Sequence, residues 1–123
     1  MINKRHLDST RSGLTKHATI GDKKIYITTG EFSDGSLGEL FIRIDKEGSI
    51  LRSYDSVAIA VSIGLQNGIP LSEYTDKLIG QIMEPRGITN DHEIPIAKSI
   101  TDYVFRWLDL RYGKVREERC KFD

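Results

Sequence analysis

The sequence predicts an α+β fold: an amino-terminal antiparallel β-sheet followed by two to three α-helices packed on one face. Three observations predict it. Between Gly38 and Asp45, Leu40, Ile42 and Ile44 alternate with Glu39, Phe41 and Arg43, a period of two that suits a sheet with one buried face. After Lys46-Glu47-Gly48 the period lengthens to that of a helix. The extended segments also all precede the helical ones, and 123 residues fit one domain of ordinary size.

Taken in order, residues 1–13 lack periodicity and read as an arm, 14–113 as the domain, and 114–123 as a charged tail. A Gly21-Asp22 turn separates a short run near His17–Ile20 from Lys24–Thr29, where Ile25 and Ile27 alternate with Tyr26 and Thr28. Phe32-Ser33-Asp34-Gly35-Ser36 is turn chemistry and leads into Gly38–Asp45. Ser49 suits the N-cap of a helix running to about Asn67-Gly68. Val57-Ala58-Ile59-Ala60-Val61 is apolar nearly all round, so burial on more than one side is expected, and with it at least a dimer.

Pro70 opens a second helix, Leu71 to about Ile82, with Leu71, Tyr74, Leu78 and Ile82 on one stripe, before the break at Pro85-Arg86-Gly87. A loop from Met83 to Pro95 follows. The last helix is expected from Ile96 to about Tyr112, ending at Gly113. Its inner stripe would be Ala97, Ile100, Val104, Trp107, Leu108 and Arg111, with Asp102, Arg106 and Asp109 away from it and Tyr103 at the margin.

Charge is balanced overall, 18 bases against 18 acids, which argues against a strongly basic nucleic-acid clamp, and no nucleic-acid duplex is expected as partner. It is not evenly placed, because residues 1–24 carry six bases against two acids. That basic start reads either as a phosphate-meeting arm or as a solvated terminus. The single Cys120 excludes an intramolecular disulfide and a multi-cysteine zinc site. No apolar run reaches 18 residues, so a soluble, cytoplasmic protein without membrane partners is expected.

Strong catalytic motifs are missing: there is no phosphate-binding Gly-x-x-x-x-Gly-Lys loop, no Gly-x-Ser-x-Gly elbow and no His-Glu-x-x-His. His6, His17 and His92 are scattered over an arm, a strand and a loop, so neither metal nor cofactor is expected. Asp91, His92 and Glu93 read as a general-base cluster or as a hydrogen-bonded loop capping the last helix, the second being favoured. Groups able to bind without reacting are more plentiful. Arg86, Arg106 and Arg111 offer bidentate forks, and Phe41, Tyr26 and Tyr103 can stack on a base.

Six collinear pieces carry a family resemblance. They are Arg11-Ser12-Gly13-Leu14-Thr15-Lys16, Gly30-Glu31-Phe32-Ser33-Asp34-Gly35, Gly38-Glu39-Leu40-Phe41-Ile42 with Lys46–Arg52, Ala58–Tyr74, Glu84-Pro85-Arg86-Gly87 and Ser99–Arg106. Residues 11–112 resemble the carboxy-terminal TSCPD domain of adenosylcobalamin-dependent (class II) ribonucleotide reductases. The radical-bearing barrel and the cysteine-rich tail of those enzymes have no counterpart here, so the chain is not expected to be an enzyme by itself. As a free-standing domain it also resembles the phage anti-defence sponges that act against the Thoeris system.

That second resemblance implies capture of a cyclic ADP-ribose isomer without degrading it, with cyclic oligonucleotides as a possible second cargo. It implies a ligand site in which Met83 and Ile94 form the wall for the base, Arg86 and Arg106 meet phosphate, Asn90 and Asp91 meet ribose, and Phe41 can stack. A second phosphate site would use Arg11, Thr15, Lys16 and Arg52 at a junction of a homo-oligomer, dimer or higher. The alternative is a nucleotide-sensing or interaction accessory domain of a class II reductase.

Overall fold

In the computed structural model, which describes residues 4–45 and 49–113 with the side chains of 49–52 excepted, three strands form an antiparallel meander of order β1-β2-β3. They are β1 (Thr15–Ile20), β2 (Lys23–Glu31) and β3 (Leu37–Ile44), followed by helices α1 (Ser49–Gln66) and α2 (Leu71–Leu78). A two-strand ribbon, β4 (Gly87–Ile88) with β5 (Ile96–Ala97), precedes α3 (Ile100–Leu108) and a π-helical turn over Asp109–Gly113. The expected capping by Ser49, the Lys46-Glu47-Gly48 turn, Arg52, Cys120 and the charged tail lie outside the described residues.

Alternation along the strands works as the pattern predicts. Ala18, Ile20, Ile25, Ile27, Leu40 and Ile42 bury one face of the sheet beside α1 and α3 in a single apolar cluster. The register Ala18↔Ile25 and Ile27↔Ile42 stacks these side chains across strands. Outward stand Thr15, His17, Tyr26, Thr28, Phe41 and Arg43.

Both edges of the sheet are capped in part by groups from distant elements. The Leu40 N–H donates to Ser62 Oγ at 2.9 Å, that hydroxyl lies 3.2 Å from the Leu40 carbonyl, and Gln66 Nε2 donates to the Gly38 carbonyl at 3.1 Å. These α1 side chains satisfy the edge of β3 that faces away from β2. On the opposite edge the Thr19 N–H donates to Asn90 Oδ1 at 2.9 Å, and the Gly21 N–H to the Ile88 carbonyl at 2.9 Å.

The helices depart from expectation in an instructive way. α1 buries a single stripe, Tyr54, Ala58, Val61 and Leu65, and leaves Ile59 and Ile63 exposed. The helix buried nearly all round is α3, where Ile100, Asp102, Tyr103, Val104, Phe105, Trp107 and Leu108 are all inside and only Thr101 and Arg106 are partly open. Asp102 and Tyr103 are therefore interior residues, and Arg111 is exposed rather than on the inner stripe.

Helix α3 begins at Ile100 rather than Ile96 because Ser99 caps it. Its Oγ accepts from the Asp102 N–H at 2.8 Å and donates to the Gln81 carbonyl at 2.7 Å. Asp102 accepts from the N–H groups of Gly80 (2.7 Å) and Lys98 (2.9 Å). This capture explains why α2 stops at Leu78 and not Ile82: Ile79 is extended, and Gly80, at φ +93°, turns the chain toward the carboxylate. A Cβ at Gly64 of α1 would collide with the hydroxyl of Tyr74 of α2, so any larger residue there must displace that ring.

Candidate functional site

The segment from Met83 to Lys98 is stapled to the domain from several sides. Residues 87–88 pair with 96–97, which makes part of the expected loop a strand and the start of the expected last helix its partner. The Thr89 hydroxyl meets the Ile94 carbonyl, the Asp91 N–H donates to Thr89 Oγ1 at 3.0 Å, and Asp91 Oδ1 accepts from the Glu93 N–H at 3.0 Å. Ile94, 1% exposed, is driven into the core by this tight fold-back.

Asp91 is the centre of a buried polar network. Its Oδ2 accepts from the Tyr103 hydroxyl at 2.7 Å and faces Lys16 Nζ at 3.6 Å. Burial opposes the charge on Asp91, but the Tyr103 and Glu93 hydrogen bonds and the Lys16 ammonium outweigh it and hold the carboxyl below its ordinary value. Burial, then the same carboxylate, pushes the Tyr103 phenol well up. A second bridge closes the rim, with Arg111 Nη2 donating to Glu93 Oε1 at 2.7 Å.

Around this network lies an exposed apolar surface flanked by guanidinium groups. Ile88 and Ile96, opposite each other in the ribbon, are 75% and 62% exposed, and Met83, joined through its N–H to the Lys98 carbonyl at 3.0 Å, is also exposed. Arg106 donates from Nη1 to the Ile96 carbonyl at 2.9 Å and lies 3.5 Å from Asp102 Oδ2. Arg86 is exposed and pairs with Glu84 at 3.0 Å. An apolar wall with two arginines beside it suits a ligand that combines a flat base with phosphate.

Of the sequence-derived ligand residues, Met83, Arg86, Asn90, Asp91 and Arg106 belong to this region, while Ile94 is interior. The exposed wall is instead completed by Ile88 and Ile96, which strands of two residues are too short to reveal by periodicity. Asn90 and Asp91 are engaged by Thr19, Tyr103 and Lys16. Phe41 stands on the outer sheet face at β3, whereas the ribbon joins the sheet at β1.

The second phosphate set is not gathered. Arg11 is bound to Glu39 at 2.6 Å and to the Asp8 carbonyl, Thr15 faces outward, Lys16 turns inward to Asp91, and the side chain of Arg52 is outside the described residues. Among the described residues no three His, Cys, Asp or Glu groups could hold a metal ion.

A small α+β domain that carries an exposed apolar surface on a short ribbon, with the buried Asp91 and Asp102 bonded within the fold, is the class the geometry defines. The TSCPD domain model matches residues 4–112, and the chain belongs to that family. It is similar to segments of longer proteins, each a vitamin B12-dependent ribonucleotide reductase. That of Bradyrhizobium diazoefficiens is 46% identical over 114 residues, covering 91% of this chain and 9% of the relative. That of Agrobacterium fabrum is 45% identical over 108 residues (86% and 8%), and that of Streptantibioticus cattleyicolor 40% over 110 (89% and 18%). The chain thus spans less than a fifth of the length of these relatives. No solved structure matches it significantly.

Proposed function

We propose that this chain acts as a nucleotide-sensing accessory domain of a vitamin B12-dependent ribonucleotide reductase, binding its ligand at the β4–β5 ribbon without turning it over. The observation that carries this reading is the 40–46% identity to reductase segments over nearly the whole domain. The exposed Met83, Ile88 and Ile96 would receive the base, and Arg106 and Arg86 the phosphates. Cobalamin chemistry belongs to the rest of such a reductase.

Calorimetric titration with ATP, dATP and CDP tests this reading. The expected result is saturable binding of at least one, weakened tenfold or more by Arg106→Ala and by Arg86→Ala. Absence of binding to all three overturns it. A second reading, sequestration of a cyclic ADP-ribose isomer that blocks Thoeris immunity, draws on the same pairing of two arginines with an apolar wall. It predicts that this isomer binds in place of the linear nucleotides and is released intact on heating; its loss from both fractions would mark a degrading enzyme.

A further inference from the structure

The outer face of the three-stranded sheet carries chemistry that the ribbon reading does not use. The helices lie on the other face, and the outward residues form a cross-strand lattice. His17, Tyr26 and Arg43 stand in one row, and Thr15, Thr28 and Phe41 in the next. His17 meets Tyr26 edge-on with ring centroids 4.6 Å apart, and the Arg43 guanidinium carbon lies over the Tyr26 ring, 4.5 Å from its centroid. Phe41, 54% exposed, has its ring beside this group. The hollow they line measures about 480 Å³, with Asp55 of α1 on its rim.

Two cations on this face, Arg43 and Lys24, are left out of ion pairs among the described residues, with the carboxylates of Asp45 and Asp55 at its border. Glu39, the outward carboxylate of β3, is already taken by Arg11 at 2.6 Å. Arg43 and Lys24, by contrast, have no carboxylate within ion-pair distance among the described residues. A guanidinium held over an aromatic ring while its fork makes no ion pair is placed to receive a phosphate. Alternate residues of one strand stand about 6.6 Å apart, so Phe41 and Arg43 are separated by roughly the reach from a nucleobase to its own 5′-phosphate.

We propose that this sheet face is a second binding site, for a ligand combining a nucleobase with a phosphate: the base stacks on Phe41 and the phosphate is held by Arg43, with Lys24 adding charge. Sequence-tolerant stacking of bases on aromatic side chains beside cationic ones is the general chemistry of such a face. The ligand is either a free nucleotide or a nucleotide of a single strand, since both present these groups.

The test is an amide chemical-shift titration of the full chain with AMP, with an eight-residue oligothymidylate and with inorganic phosphate. The expected result is saturable shifts centred on Tyr26, Thr28, Phe41 and Arg43, with Phe41→Ala and Arg43→Gln each weakening binding tenfold or more and Phe41→Trp retaining it. Both positions are exposed, so these variants keep the fold. Tighter binding of the oligonucleotide assigns the site to single strands, and equal or tighter binding of AMP assigns it to free nucleotides. Shifts confined to Ile88, Ile96 and Arg106 overturn the proposal while leaving the ribbon reading intact. Inorganic phosphate binding as well as AMP, or wild-type binding by both variants, also overturns it.

Discussion

Asp91 and Ile94 illustrate how one short segment converts polar sequence into structure. The Asp91 carboxylate is buried yet charged, because two hydrogen-bond donors and an ammonium converge on it. A carboxyl held below its ordinary value of 3.8 contributes stability that is fully present above that value and is lost as the pH falls through the depressed one. Asp91→Asn should therefore lower stability at neutral pH by about 2 kcal/mol or more. Its denaturation midpoint should also depend less on pH below about 4 than that of the wild type, as urea unfolding followed at several pH values would show. Ile94→Ala should cost about 2–5 kcal/mol in the same assay, because its side chain is core. Equal stability of that variant would place Ile94 outside the core, where a ligand wall needs it.

Helix α3 is specified by its cap and its buried acid more than by its apolar stripe. Ser99 holds both the Asp102 N–H and the Gln81 carbonyl, so Ser99→Ala should destabilise the domain by about 1–2 kcal/mol, read as a lower thermal midpoint with an unchanged far-UV spectrum. The expected start at Ile96 followed the apolar spacing of Ala97 and Ile100 but missed that Pro95 and Ile96 join an extended ribbon. On a helical wheel Asp102 reads as a charge away from the inner stripe. Its partners, Gly80 and Lys98, belong to backbone that only the folded chain brings together. The strands were more legible, since alternation in β2 and β3 and the turns at Gly21-Asp22 and Phe32–Ser36 are local signals. In the second of these turns, hydrogen bonds from Ser36, aided by Arg5, pull the Asp34 carboxyl to about 2.

Taken whole, the molecule buries its sheet on one side and leaves open, besides the ribbon surface, the outer sheet face and the exposed Ile59 and Ile63 of α1 beside Phe41 around a hollow of about 440 Å³. The apolar α1 sequence is thus only half used within the chain. We propose that the remainder pairs with a second copy across a two-fold axis, where Ile59 of one helix meets Ile63 of the other. Sedimentation at tens of micromolar is expected to show a dimer, and the double variant Ile59→Glu, Ile63→Glu a folded monomer, since both positions are exposed. A monomeric wild type would refute this pairing.

The sequence by itself determined the α+β order, the three-stranded meander, the inward set Ile25, Ile27, Leu40 and Ile42, and the TSCPD family, because side-chain alternation and turn residues act over a few positions. Which helix is enclosed, which carboxylates are interior and which isoleucines form the ribbon surface were decided by tertiary structure. A buried charge is tolerated only where donors from distant segments converge on it. An exposed apolar side chain, likewise, is recognisable only once the neighbours that could have covered it are in place.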